Sequence, residues 1–303
     1  MKELLARNRQ MVLRGLGTLA AVVLIGILIR EEGWAEVLAA FKSLPLSRVL
    51  IALAFILVSR LFVVTRWYVL LRSGGVAISY PRAFALTFTG LFSSNFLPTT
   101  IGGDVVRLAG AMQLGYDRAV SLASIAADRL IGMLGMVFAL PFGLPQALST
   151  IGQGAAQSIA IPAFAQRLWD FAMRTLRTFA VWLNQPLALL TALACTWAHM
   201  LCTFAALSVL IDGLGGHVNF WLIGGLWSVT YFVTLVPISI NGYGVQELSL
   251  TYLLSSVGGL GTTLSLTVAV MIRVLYMLAS LPGAASMPGI LAAMDKGDPK
   301  GQP

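Results

Sequence analysis

The chain has 303 residues, 58% of them hydrophobic and 11% charged, with a mean hydropathy of +0.86. Soluble domains carry about 25% charge and about 45–50% apolar residues. A water-soluble enzyme and a charge-rich disordered chain are therefore excluded, and two cysteines rule out a disulfide scaffold. What fits is an all-α, polytopic membrane protein, in which the net charge of +8 marks cytoplasmic loops and anionic leaflets rather than nucleic acid.

Taken in chain order, Lys2, Arg7, Arg9 and Arg14 precede the apolar stretch of a first span at residues 11–29. No small-residue cleavage site stands before Arg30, Glu31 and Glu32, so this is a span rather than a secretory signal. The basic flank puts the N-terminus in the cytoplasm. Residues 34–44 read as a short interfacial helix. A second span at 47–71 carries Arg60 and Arg66, and Arg72 and Arg82 mark the loop after it as cytoplasmic.

Residues 83–97 are apolar but shorter than the roughly 20 residues a span needs. They end in Asn95-Phe96-Leu97-Pro98-Thr99-Thr100-Ile101-Gly102-Gly103, where Pro and Gly stop the helix. A second short helix at 104–114 follows, with Asp104 in its first turn, where a carboxylate complements the helix dipole. Two half-length helices around such a break predict a re-entrant hairpin, tolerated at membrane depth only when it is buried in protein or lines a cavity.

A span at 118–142 carries Asp128 and Arg129. Residues 143–165 are uncharged and rich in Gly, Gln and Ser, and read as a weak span or an extracytoplasmic loop. Residues 166–184 are amphipathic, either an interfacial helix on an anionic leaflet or the solvated face of a loop helix. A span at 187–211 holds Cys195, His199 and Cys202 on one face. No fourth ligand is near, so neither a metal nor a cofactor is expected. Two helical turns of about 10.5 Å keep the thiols too far apart for a disulfide.

The apolar stretch 220–236 stops at a second break, Pro237-Ile238-Ser239-Ile240-Asn241-Gly242-Tyr243-Gly244. A half-helix at 245–257 with Glu247 follows, then a span at 262–281 with Arg273. The breaks align in order: Gly74-Gly75 with Gly215-Gly216, Tyr80 with Phe220, Pro98, Ile101 and Gly103 with Pro237, Ile240 and Gly242, and Arg129, Met133 and Leu134 with Arg273, Met277 and Leu278. This predicts one transmembrane domain over 1–294, with repeat halves at about 47–142 and 187–282 linked by 143–186, and a polar tail at 295–303. Paired interrupted helices in two halves point to a transporter's binding site.

The candidate substrate-binding set is Asn95, Pro98, Thr99, Gly103, Asp104, Arg107, Asp128, Arg129, Asn241, Gly242, Glu247 and Arg273. Charges inside a span cost about 2.5–3.5 kcal/mol each on insertion scales and are functional candidates by default. Ion pairs that lock the bundle are the competing role, with Asp104 on an Arg and Glu247 on Arg273. Guanidinium groups in a polar cavity suit an anionic headgroup. The chain has neither a phosphate-binding G-x-x-x-x-G-K-[ST] loop nor an H-E-x-x-H helix, and no catalytic residue is assigned.

The run Asn95-Phe96-Leu97-Pro98 with Gly103, Asp104 and Arg107, the Asp128-Arg129 pair, the Pro237, Gly242, Glu247 break and Arg273 together resemble the lysylphosphatidylglycerol synthase transmembrane-domain family of flippase-like membrane proteins. Family members usually carry Glu where Asp104 and Asp128 stand. The resemblance implies a bacterial inner-membrane lipid translocase. Its cargo would be an anionic phospholipid, an aminoacyl-lipid or a polyprenyl- or hopanoid-type lipid. A chain ending at Pro303 resembles the stand-alone members, which lack the soluble synthase domain. The alternative is a non-catalytic membrane subunit presenting lipid to a glycosyltransferase or other lipid-biosynthesis partner. Expected partners are a lipid substrate and the bilayer, with oligomerisation left open and no nucleic acid.

Overall fold

The computed structural model describes residues 34–97, 102–151, 185–236 and 239–286, with residues 19, 23 and 26. The rest of the first span, the segment 166–184, the tail, and Pro98, Thr99, Thr100 and Pro237 lie outside the described residues. Every regular element among the described residues is helical. In order these are α1 (Trp34–Ser43), α2 (Leu46–Ser73), α3 (Tyr80–Ser94), α4 (Gly102–Gln113), α5 (Arg118–Ala139), α6 (Leu144–Ile151), α7 (Pro186–Gly213), α8 (Phe220–Thr234), α9 (Val245–Ser256) and α10 (Thr262–Ser280). Short 3-10 turns stand at Leu140–Phe142 and Ile240–Gly242.

Four helices among the described residues are long and apolar enough to cross a bilayer: α2, α5 continued to Phe142, α7, and α10 continued to Ser286. The lengths of α2 to α5 are 28, 15, 12 and 22 residues, and those of α7 to α10 are 28, 15, 12 and 19. At 1.5 Å per residue the 15-residue helices reach about 22 Å, short of a hydrocarbon core of about 30 Å.

The ends of these helices follow local chemistry. Pro81 sits in the first turn of α3, where its missing N–H is no loss, so that helix begins earlier than residue 83. Pro186 opens α7 in the same way. Asp117 Oδ1 accepts from the Val120 N–H at 2.8 Å and caps α5. Asn219 Oδ1 accepts from the Trp221 N–H at 3.0 Å and caps α8. Gly75 (φ 90°) and Gly215 (φ 78°) hold the left-handed turns after α2 and α7. The backbone therefore pairs Gly75 with Gly215, one residue away from the match drawn on residue type.

The most extensive helix contact is between α2 and α7. Gln185 Nε2 donates to the Ser73 carbonyl at 2.8 Å, joining the start of α7 to the end of α2. At the other end, a Cβ on Gly213 would lie 2.7 Å from Leu44. The pair is therefore antiparallel. The α3–α4 pair opens where α2 ends, around a core of Trp67, Leu71, Ile78, Leu86, Ala111 and Ile125. The α8–α9 pair opens at the opposite end, where Phe142 and Trp221 rings stand 5.3 Å apart and Gly216 faces Leu260 and Leu264.

The end of α3 meets the segment that leads into α9. Tyr243 Oη donates to the Asn95 carbonyl at 3.0 Å, and Asn95 Nδ2 donates to Ser280 Oγ at 2.9 Å. Glycine permits the closest approaches. A Cβ on Gly103 would lie 2.1 Å from Ser94 Oγ and 2.3 Å from the Gly90 carbonyl oxygen, so α4 lies directly on α3.

Candidate functional site: a charged cavity where the broken helices meet

A cavity of about 330 Å³ lies where the two breaks converge. Asn95, Gly103, Asp104, Arg107, Arg129 and Asn241 are among its lining residues. Arg273 and the unanticipated Arg60, His199 and Tyr276 line it too. A neighbouring cavity of about 260 Å³ shares Arg60, Asp104, Arg107, Arg129 and His199, and adds Arg66 and Asp128. A wider groove of about 560 Å³ between the end of α2 and the start of α7 carries Arg72 alone among charged residues.

The charges form two ion-paired groups. In the first, Arg66 Nε donates to Asp128 Oδ1 at 2.7 Å, and both terminal nitrogens of Arg107 donate to Asp128 Oδ2 at 3.1 Å. Arg107 also donates to Asp104 Oδ1 at 3.1 Å, and Arg129 Nε donates to Asp104 Oδ2. Arg66 donates further to Thr196 Oγ1 at 3.0 Å, which ties α7 into the group. The Arg107 guanidinium lies 4.1 Å over the Trp67 ring, a cation–π contact that gains in weight where water is excluded.

In the second group, Arg273 Nε donates to Glu247 Oε1, and Arg273 donates to the Gly242 carbonyl at 3.2 Å. Glu247 Oε2 accepts from the Gly244 N–H at 2.8 Å and so caps the start of α9. Asn241 takes φ 50°, a left-handed conformation that Asn tolerates better than most residues, and Gly242 follows at φ 71°. These two residues shape the chain reversal between α8 and α9.

The two groups share one register. Asp104 and Glu247 are each the third residue of their short helix, and Arg129 and Arg273 are each the twelfth residue of the helix that follows. Beyond this the halves differ. Arg66, Arg107 and Asp128 occupy positions that Ala206, Leu250 and Ile272 hold in α7, α9 and α10, all three buried. Bringing an ion out of water costs several kcal/mol, so the mutual pairing is what makes this charge burial tolerable.

Of the sequence candidates, Asn95, Gly103, Asp104, Arg107, Asp128, Arg129, Asn241 and Arg273 line the two cavities. Gly242 and Glu247 reach them through Arg273. Pro98 and Thr99 lie outside the described residues. The ion pairs anticipated as bundle locks, Asp104 with an Arg and Glu247 with Arg273, are both present. Arg60, Arg66 and His199 join the site from α2 and α7, away from the two breaks. Arg60 and Arg66 stand out in the sequence as basic residues well inside an otherwise apolar span, but that position alone does not say which cavity they face.

Four crossing-length helices and a buried charged cavity define a multi-pass α-helical membrane protein. The model of the lysylphosphatidylglycerol synthase TM region matches residues 14–283, and the chain belongs to that family. It is also similar to a UPF0104 membrane protein of Methanothermobacter thermautotrophicus, 29% identical over 147 residues. That match covers 48% of this chain, and the chain spans 39% of the length of that relative.

Proposed function

We propose that the chain is a lipid translocase of a bacterial inner membrane. It would move an anionic phospholipid, an aminoacyl-lipid or a polyprenyl- or hopanoid-type lipid through the central cavity. The observation that carries this reading is the convergence of two broken helix pairs, open at opposite ends of the bundle, on one cavity lined with Arg and Asp. The matching helix lengths and the shared register of Asp104–Arg129 and Glu247–Arg273 support an internal repeat of inverted topology, with re-entrant hairpins at α3–α4 and α8–α9. In such an arrangement each hairpin gates one face, and a headgroup reaches the cavity from either leaflet in turn. With the N-terminus cytoplasmic, the α3–α4 hairpin enters from the cytoplasm.

Translocation of fluorescent phospholipid across vesicles holding the purified chain tests this reading. Wild type should move lipid, and Arg129→Ala or Arg273→Ala should abolish movement while the protein stays folded. Normal movement by both variants would sink the site assignment. No movement by wild type, together with a co-purifying lipid-modifying enzyme, would replace translocation with lipid presentation to a partner.

A further inference from the structure

Arg60, Arg66, Arg107, Arg129 and Arg273 gather around the cavity, against Asp104, Asp128 and Glu247. Each of the six carboxylate oxygens already accepts a hydrogen bond. Asp104 Oδ1 and Oδ2 take Arg107 and Arg129. Asp128 Oδ1 and Oδ2 take Arg66 and Arg107. Glu247 Oε1 and Oε2 take Arg273 and the Gly244 N–H. A ligand ammonium entering this cavity meets carboxylates that already hold guanidinium or backbone N–H donors, and five guanidinium groups stand against these three carboxylates.

Arg60 is the exception among these cations. It forms no ion pair among the described residues, and its guanidinium lies 4.3 Å over the Tyr276 ring. An aromatic face supports a cation without neutralising it. Arg60 Nε is closed off from solvent and has no hydrogen-bond partner. The residue lines both cavities, beside His199, whose Nδ1 shares a 2.7 Å hydrogen bond with Ser59 Oγ. A buried polar N–H without an acceptor is costly, and an unpaired charge in a span is more so. An anion in the cavity beside Arg60 supplies the countercharge that the residue lacks.

We propose that Arg60 is the residue that recognises a phosphate-bearing anion in this cavity, and that the excess of guanidinium over carboxylate groups around it disfavours headgroups carrying an ammonium. The planar guanidinium fork matches the oxygens of a phosphodiester. The inference deepens the translocase reading and rests on it for the ligand being a lipid. Among the cargoes considered there, it selects anionic phosphate lipids over aminoacylated ones.

Binding to the full chain in nanodiscs of phosphatidylcholine, doped with either phosphatidylglycerol or aminoacylated phosphatidylglycerol, is the test. Wild type should bind phosphatidylglycerol about tenfold or more tightly than the aminoacylated lipid. Arg60→Gln should lower phosphatidylglycerol affinity by about tenfold or more, the loss of a charged hydrogen-bonding group, and Arg60→Lys should lower it less. Equal wild-type affinity for the two lipids overturns the proposal without any variant, and so does unchanged affinity in a folded Arg60→Gln protein. Glycerol 3-phosphate distinguishes the sources. Displacement at concentrations matching the lipid's own Kd assigns the site to a soluble phosphate, and resistance to displacement assigns it to a lipid; both outcomes support phosphate recognition. Arg60-dependent binding with no translocation sinks the translocase reading alone. Translocation indifferent to Arg60→Gln sinks this assignment alone.

Discussion

Ser59 and His199 are each the fourteenth residue of their helix, α2 and α7, and their side chains share a 2.7 Å hydrogen bond. Two antiparallel helices that touch through equivalent positions are related by a two-fold axis through that contact. The bond therefore marks where an inverted repeat would have its centre, beside the cavity that both residues' helices help to line. Small and polar side chains suit such a crossing in a membrane, because association there depends on close packing and hydrogen bonds rather than on apolar burial.

An inverted arrangement makes the open ends of the two short helix pairs face opposite sides. Leu114→Cys lies just after α4 and Ser256→Cys at the end of α9, both exposed. In a background of Cys195→Ala and Cys202→Ala, a membrane-impermeant maleimide should label them from opposite faces of sealed vesicles, Leu114→Cys from the cytoplasmic face. Labelling from one face would show the two pairs to be parallel.

Asp128 holds Arg66 and Arg107 together, and all three are buried. Asp128→Asn should destabilise the fold by about 3–5 kcal/mol, because it leaves charged partners uncompensated. The triple variant R66A/R107L/D128I copies the apolar residues of the second half. It should unfold at a higher temperature than Asp128→Asn, since a buried ionic cluster can be replaced by apolar packing at little loss. Thermal unfolding in detergent reads both. The translocase reading adds that the triple variant moves no lipid.

Gly103 separates close packing from helix propensity. Gly103→Ala drives a methyl group into Ser94 Oγ and the Gly90 carbonyl, so it should destabilise by about 1–3 kcal/mol, the usual penalty of overpacking. Gly261 has φ −62° and nothing within 4 Å of an added Cβ. Gly261→Ala should leave the unfolding temperature unchanged or slightly raised. Equal responses at the two sites would show that α3 and α4 do not touch at Gly90 and Gly103.

Tyr243 ties the two breaks together. Tyr243→Phe removes its 3.0 Å bond to the Asn95 carbonyl but keeps the ring, which the Arg273 guanidinium carbon approaches to 4.9 Å. Stability should fall by about 1 kcal/mol, a typical net value for one hydrogen bond. Hydrogen exchange in the chain reversals at 95–97 and 239–244 should rise together. A rise confined to one of them would mean that the breaks move independently.

Much of the fold was legible because hydropathy reports it directly. The bilayer demands long apolar runs, and the spans at 47–71, 118–142, 187–211 and 262–281 return as α2, α5, α7 and α10 with ends shifted by a few residues. Two of the ion pairings were legible too, Asp104 with an Arg and Glu247 with Arg273, since a carboxylate and a guanidinium in apolar sequence have few partners to choose from; the pairing of Asp128 with Arg66 and Arg107 was not. Arg60 and His199 were not. Their contact with the cavity depends on how α2 and α7 cross, and helical spacing within one segment carries no information about that crossing. Gly75 and Gly215 make the same point at smaller scale: residue type aligned Gly74 with Gly215, while backbone handedness pairs Gly75 with it.

The Arg66–Asp128 pair also bears on how the chain enters a membrane. The partners are 62 residues apart, which at ribosomal speeds of 5–20 residues per second is roughly 3–12 s of synthesis. Throughout that interval Arg66 stands in α2 without the carboxylate it pairs with in the folded protein. The apolar turns of α2 hold the helix in the membrane, and Arg66 must reach towards a water-lined interface or the insertion machinery until α5 arrives. The central cluster is thus a late-closing step in biogenesis. A nascent chain halted before Asp128 should be extracted from the bilayer far more readily than one halted just after it.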